Sequence, residues 1–178
     1  MTADERHPLR KTIRLFAESY EQRRAYFVTV CTHEKQCLLS DVDGQFVGLS
    51  KRGELVRSAW LCLPDKFPAL ALDEYILMPN HLHAILCLVG AGLARPSSEV
   101  KAANHYSLID VMRVFKSVST IQVNREFRTP GLPLWQRSYF DHIIRDAEDL
   151  RNHRKYIIEN PMRWSAKERD YPPPIFEA

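Results

Sequence analysis

The chain has no apolar run near the ~18 residues that a membrane helix needs, and its first residues, MTADERHPLRK, carry no apolar signal core. Both absences predict a protein that stays off the membrane and is not secreted. Cysteine is sparse: Cys31, Cys37, Cys62 and Cys87 are scattered and form no C-x-x-C pair. That usage fits reduced, mostly buried thiols in a cytoplasmic protein rather than a disulfide framework. The sequence also lacks a Gly-rich phosphate loop, an internal repeat, a low-complexity tract and a heptad pattern. Neither sign of charge dominates, since 25 Lys+Arg stand against 22 Asp+Glu for a net +3. A sequence-blind nucleic-acid binder usually lies further from neutrality, with a pI above ~9. Charge therefore permits a nucleic-acid partner without requiring one.

What is present suffices for one domain. The 178 residues are 45% hydrophobic, and a chain of this length buries most of the surface it exposes unfolded. Residues 1–24 are polar and include Arg6, Arg10, Lys11, Arg14, Arg23 and Arg24, which reads as a basic arm. A single core over 25–164 and a tail over 165–178 follow. Residues 26–32, rich in aromatic and β-branched side chains, predict a strand. Asp43-Gly44 between short apolar stretches predicts a hairpin, with both residues of that dipeptide at positive φ. Ser50 caps a helix with Val56, Ala59, Trp60 and Leu63 at helical spacing, which Pro64 ends. Residues 70–77 and 81–88 read as strands about the interruption Met78-Pro79-Asn80. Residues 89–105, with Gly, Pro, Ser and Ala but no periodicity, predict a mobile surface loop. Ser107 and Asp110 resemble a capping box ahead of a stripe of Leu108, Val111, Met112, Phe115 and Val118. Residues 134–144 predict a further strand, and Asp146 caps a last helix that Pro161 stops at Asn160. The order predicts an α+β domain, with helices over a mainly antiparallel sheet.

Two local features carry chemistry. In His81-Leu82-His83 the alternation of strand side chains puts both imidazoles on one face. They can converge on a metal ion, or they can be two satisfied histidines at a strand end. In Tyr156-Ile157-Ile158-Glu159-Asn160 the i, i+4 spacing places Tyr156 and Asn160 on one helical face. A core aromatic and a helix cap are the plain alternatives there. Taken together, two histidines and a carboxamide oxygen make an open metal site, and a phenol beside it can attack phosphorus. A tyrosine, protonated at neutral pH, needs a cation, a base or a water relay to become a nucleophile.

Through these residues the sequence resembles the REP-associated tyrosine transposases, relatives of the IS200-type transposases in the HUH endonuclease superfamily. The resemblance runs in order through Ala25–Thr32, Leu72–His83, Val114–Ser117, Leu134–His142 and Tyr156 to Pro161, and so covers about residues 24–164. It implies a ferredoxin-like antiparallel sheet with the histidines on a central strand and the tyrosine on a helix across it. It also implies that Tyr156 is the nucleophile and that His81 and His83 hold a divalent ion, Mg²⁺ or Mn²⁺, with Asn160 as third ligand. Insertion-sequence relatives tend to carry Gln at that last position. The implied reaction cleaves and rejoins single-stranded, hairpin-forming DNA through a 5′-phosphotyrosine, so no ATP motif is needed. The ligand chemistry pulls slightly the other way, because imidazole suits zinc, nickel and copper.

Basic side chains placed to meet DNA phosphates are Arg10, Lys11, Arg14, Arg137, Arg145, Arg151, Arg154 and Lys155; each is otherwise a solvated charge. Expected partners are single-stranded or hairpin DNA, with a monomer favoured over a homodimer, in a cytoplasmic, nucleoid-associated setting. Two other readings compete: a DNA binder derived from such a transposase that no longer cuts, and an unrelated hydrolase using His81 and His83 with Cys87 or Asp73. A requirement for Tyr156 separates the first reading from both.

Overall fold

Apolar, β-branched runs supply the two central strands of the sheet, and that placement decides where the histidines lie. The computed structural model describes residues 23–89 and 106–164. Of the arm expected over 1–24, residues 1–22 fall outside the described residues, with Arg10, Lys11 and Arg14, while Arg23 and Arg24 already belong to the first strand. Of the loop expected over 89–105, Val89 ends a strand and 90–105 lie outside, as does the tail over 165–178. Strand β1 (Arg23–Cys31) is followed by a hairpin of β2 (Ser40–Asp43) and β3 (Phe46–Leu49). Helices α1 (Lys51–Leu61) and α2 (Leu63–Lys66) lead to β4 (Leu70–Met78) and β5 (His81–Val89). Then come α3 (Leu108–Phe127), β6 (Phe140–Ile144) and α4 (Ala147–Arg163).

The main sheet is antiparallel in the order β4-β5-β1-β6. With α1 between β1 and β4, and α3 between β5 and β6, this is the β-α-β-β-α-β arrangement of ferredoxin-like domains. The expected α+β fold class is therefore the observed one. Each face of the sheet has its own core. Val28, Val30, Leu82, Ala84 and Leu86 face α1 and α3, packing with Trp60, Met112 and Phe115. Ala25, Phe27, Ile85, Cys87 and Ile144 face the other way and are covered by Leu150, Tyr156 and Ile157 of α4.

The structure corrects several boundaries. The hairpin turn is Gly44-Gln45 rather than Asp43-Gly44, because Asp43 already pairs with Phe46; of the two loop residues only Gly44 takes positive φ, at 60°. Pro64 does not end the helical segment. It sits in the first turn of α2, where its missing N–H has no intrahelical partner to lose. Of the strand expected over 134–144 only Phe140–Ile144 forms; the earlier part is a loop touching β-structure through one bridge, Thr32 to Trp135. Finally, α4 runs through Pro161 to Arg163. Proline at 161 gives up the N–H that would reach the Ile157 carbonyl, but only two helical residues follow it, and the Trp164 N–H closes the helix by donating to the carbonyls of Asn160 (3.1 Å) and Pro161 (3.0 Å). Asn160 is thus a residue of the helix body and not its cap. No helix among the described residues is long and apolar enough to cross a membrane.

Gly53 shows how closely α1 meets the hairpin. The Ser50 hydroxyl caps α1 by accepting from the Gly53 N–H at 3.1 Å, and donates to the Leu38 carbonyl at 2.6 Å. The Leu39 carbonyl consequently lies where a Cβ on residue 53 would stand. Alanine normally favours a helix over glycine by about 1 kcal/mol. Here the sign reverses: Gly53→Ala is expected to cost at least about 2 kcal/mol through overpacking, read as a lowered urea midpoint.

Candidate active site

Strand register sets the centre. On β5, His81 lies opposite Cys31 and His83 opposite Thr29, while Leu82 and Ala84 turn into the other core. Both imidazoles are buried on the α4 face, with ring centres 4.4 Å apart. Each is held at its Nδ1. The Asn80 Oδ1 lies 2.7 Å from His81 Nδ1, and because an amide oxygen only accepts, that nitrogen carries the proton. Thr29 Oγ1 lies 2.8 Å from His83 Nδ1. With Thr29 accepting, both rings share one tautomer and both keep a lone pair on Nε2, the state in which imidazole ligates a metal.

Helix α4 brings the tyrosine to this pair. Tyr156 Oη is 3.4 Å from His83 Nε2, and the two rings meet edge to face at 5.1 Å. Phe27 packs on both, with ring centres 5.4 Å from His83 and 6.0 Å from Tyr156. Asn160 follows one turn later and is also buried. The Arg163 guanidinium carbon stands 5.6 Å from the centre of the Tyr156 ring, and the Trp164 ring lies 5.9 Å from that of His81. Two imidazoles with lone pairs on Nε2 and a phenol thus share this face, and the carboxamide of Asn160 lies one helical turn from the phenol on α4.

Polar ties pin α4 at both edges of the sheet. At the β4 edge, Arg154 Nε donates to Asp73 Oδ1 at 2.9 Å in a two-pronged pair, and the Asp73 side chain is only 6% exposed. Arg154 is thereby engaged within the fold rather than offered to DNA, and Asp73 is removed from any metal role with the histidines. At the β6 edge, His142 Nε2 lies 3.0 Å from Asp149 Oδ2 and His153 Nδ1 2.9 Å from Asp149 Oδ1. Burial pushes the Asp149 carboxyl pKa up, but hydrogen bonds from His142 and the Arg145 N–H, with the field of both histidines, outweigh it and lower the pKa overall. These three ligand atoms lie within 4.8 Å of one another. His153 Nδ1, however, also donates to the Asp149 carbonyl at 2.8 Å, so it carries a proton and the trio is a hydrogen-bonded clamp as it stands.

Of the basic candidates for DNA contact, Arg137, Arg145, Arg151 and Lys155 are exposed, and Lys155 lies 3.8 Å from Glu159. Cys87 is buried in the apolar core with Ile85 and Ala25. Sequence reasoning did not single out Thr29, Asn80, Arg163 or Trp164. The signal for Asn80 was available, since a carboxamide directly before a strand histidine can reach back to Nδ1. Nothing short of the β1–β5 register reveals Thr29.

The chain shares a family with an uncharacterized protein of Haemophilus influenzae, to which it is 30% identical over 163 residues, 87% of this chain and 89% of that protein. It is 27% identical over 154 residues to a protein of the same organism named "Putative REP-associated tyrosine transposase", covering 83% of this chain and 76% of that one. No family model matches. Among solved structures, a REP-associated tyrosine transposase superposes with a TM-score of 0.53 at 20% identity, over 92% of this chain and 74% of that one. The fold is therefore that of a tyrosine-transposase domain. The chain is a relative of the REP-associated tyrosine transposases.

Burial pushes both histidines toward the neutral form. His81 is lowered to about 4 by desolvation and then by the charge of Lys35; His83 is lowered well below 6.5 by desolvation and then by His81. In the metal-free protein the unfolded chain takes up protons at these residues below about pH 6.5 while the native state resists, so stability is lost as pH falls. The loss approaches about 1.4 kcal/mol per pH unit for each histidine. Urea midpoints at pH 7 and pH 5 are expected to show this drop, and His81→Gln to shrink it.

Proposed function

We propose that this chain is a transposase-type DNA-processing enzyme that cleaves and rejoins single-stranded, hairpin-forming DNA. The observation that supports it best is the approach of Tyr156 Oη to His83 Nε2, with both histidines held by their Nδ1 atoms on the face that α4 covers. The related solved transposase is bound to a REP hairpin, and hairpin DNA is accordingly the substrate class proposed here.

His81, His83 and Asn160 would hold a divalent ion, with Mg²⁺ or Mn²⁺ favoured by the oxygen-rich ligands that a phosphate and water add. When bound there, such an ion supplies Lewis-acid polarisation of a phosphate oxygen. Phe27 and the edge-to-face contact with His83 orient the Tyr156 ring. The Tyr156 oxygen attacks phosphorus, the bond from phosphorus to the 3′ oxygen breaks, and the phenol's proton ends on that oxygen as a 3′-OH. The 5′ side stays joined to Tyr156 as a phosphotyrosine. Attack by a 3′-OH reverses the step and joins a strand, and the retained phosphodiester energy makes ATP unnecessary. The guanidinium of Arg163, paired with Glu159 at 3.0 Å and 5.6 Å from the centre of the Tyr156 ring, would be the nearby cation that a phenol nucleophile needs. Exposed Arg137, Arg145, Arg151 and Lys155 would contribute phosphate contacts that position the strand.

The test uses a labelled single-stranded oligonucleotide carrying a repeat hairpin from the source genome, incubated with Mg²⁺ or Mn²⁺ and run on a denaturing gel. A covalent protein–DNA band is expected, absent in Tyr156→Phe and in EDTA, and reduced at least about 100-fold in His83→Ala. A tight shift on a native gel with no covalent band under either ion would replace this reading with that of a DNA binder that no longer cuts.

A further inference from the structure

The sharpest backbone irregularity among the described residues lies beside the histidine pair, outside the machinery assigned above. Directly after β1, the short turn His33–Lys35 places Glu34 at φ 52°, ψ 24° and Lys35 at φ 52°. Two consecutive residues with side chains in the left-handed region are rare, and such strain persists only where the surroundings impose it. Here they do. The Thr32 N–H donates to the Asn80 carbonyl at 2.9 Å, and its hydroxyl reaches the carbonyls of Asn80 (3.0 Å) and Gln36 (2.8 Å). The N–H groups of Leu38 and Leu39 donate to the Pro79 carbonyl at 2.8 and 3.0 Å. From the other side His33 N–H donates to Leu134 and Gln136 N–H to Cys31, each at 2.9 Å. The turn is thus fastened to the segment that carries His81 and to the loop that carries Arg137.

Glycine at 34 or 35 would make the same turn without strain, so what the strain secures is a side chain. We infer that Lys35 is a phosphate-binding residue at the mouth of the histidine centre, its ammonium taking a non-bridging oxygen of a DNA phosphodiester at or next to the site of attack. Lys35 is exposed, and among the described residues no carboxylate lies within ion-pairing distance of it. Its turn sits against the centre, for Cys31 pairs with His81 across β1 and β5 and Thr32 is hydrogen-bonded to Asn80, the residue before His81. A compact ammonium on a flexible stem suits a phosphate that must enter, react and leave. Arg137, on the adjoining loop, would extend the same cationic rim along the strand.

The inference rests on the proposed reading for its ligand, but its test separates the two. Binding of the hairpin oligonucleotide is measured by fluorescence anisotropy in the Tyr156→Phe background, between 50 and 200 mM salt. Lys35→Gly keeps the turn and removes the charge. It is expected to weaken binding about three- to tenfold and to lower the slope of log affinity against log salt by about one. Lys35→Arg restores most of both, whereas Glu34→Gly, which relieves strain beside the charge, leaves both within about twofold. Unchanged affinity and slope in Lys35→Gly, or an equal loss in Glu34→Gly, would overturn the assignment. If the chain with Tyr156 intact forms no covalent band while Lys35→Gly still lowers affinity and slope, the cleavage reading fails and the lysine stands. If no variant binds the oligonucleotide, both fall.

Discussion

The structure depends on one helix held across four strands. Helix α4 crosses the sheet face built from Ala25, Phe27, Ile85, Cys87 and Ile144, and burying that face orders the helix. Apolar burial has no direction of its own, however, and a helix on a greasy sheet can slide or rotate at modest cost. Direction comes from the two polar ties, Arg154 to Asp73 at the β4 edge and Asp149 to His142 at the β6 edge. Between them His153 packs against Phe27 with its ring tilted by 48° and centres 4.7 Å apart, and Tyr156 meets His83. Exposed ion pairs contribute little to stability. The Asp73 carboxylate is almost fully enclosed, and losing its partner would strand a buried charge. Its value lies in fixing the angle of α4, and so the place where the phenol arrives.

The centre itself is assembled by hydrogen bonds to groups that do no chemistry. Thr29 and Asn80 each occupy an Nδ1, so that the opposite nitrogens are left for the site. The two histidines tolerate burial because they are neutral and hydrogen-bonded, which an imidazolium pair 4.4 Å apart could not be. The loop of Leu134 to Arg137 is fastened in the same manner. Lys116 donates to the carbonyls of Gln136 (2.6 Å) and Arg137 (2.7 Å), and the Trp135 indole N–H donates to Ser119 Oγ at 2.8 Å. Desolvation lowers the Lys116 pKa, and the two carbonyls supply the hydrogen bonds its half-buried ammonium requires.

Strain is confined to where it is useful. The Lys35 turn is bound to Pro79 and Asn80 on one side and to Leu134 and Gln136 on the other, so a distortion there would move His81 and the Arg137 loop together. Elsewhere the left-handed residue Arg128 simply ends α3, an ordinary use of that conformation at a helix terminus.

Much of this was legible from the residues. Alternation in 81–88 told which side chains share a face, and i, i+4 spacing paired Tyr156 with Asn160, because both rules depend only on local backbone period. The ordered motifs pointed to the ferredoxin-like arrangement and to the tyrosine and histidine roles that the resemblance carries. What local rules could not reach was decided by tertiary structure. Pro161 reads as a stop, yet packing of α4 carries the helix through it; residues 134–139 read as strand, yet their hydrogen bonds go to the end of β1, the turn after it, and Lys116 and Ser119 of α3. Arg154 reads as a free cation, while its partner Asp73 is 81 residues away in sequence. Composition and periodicity determined the elements and the faces they bury. Only the register of β1 on β5 and the docking of α4 determined which polar atoms meet, since those contacts join segments whose separation in the chain carries no local signal.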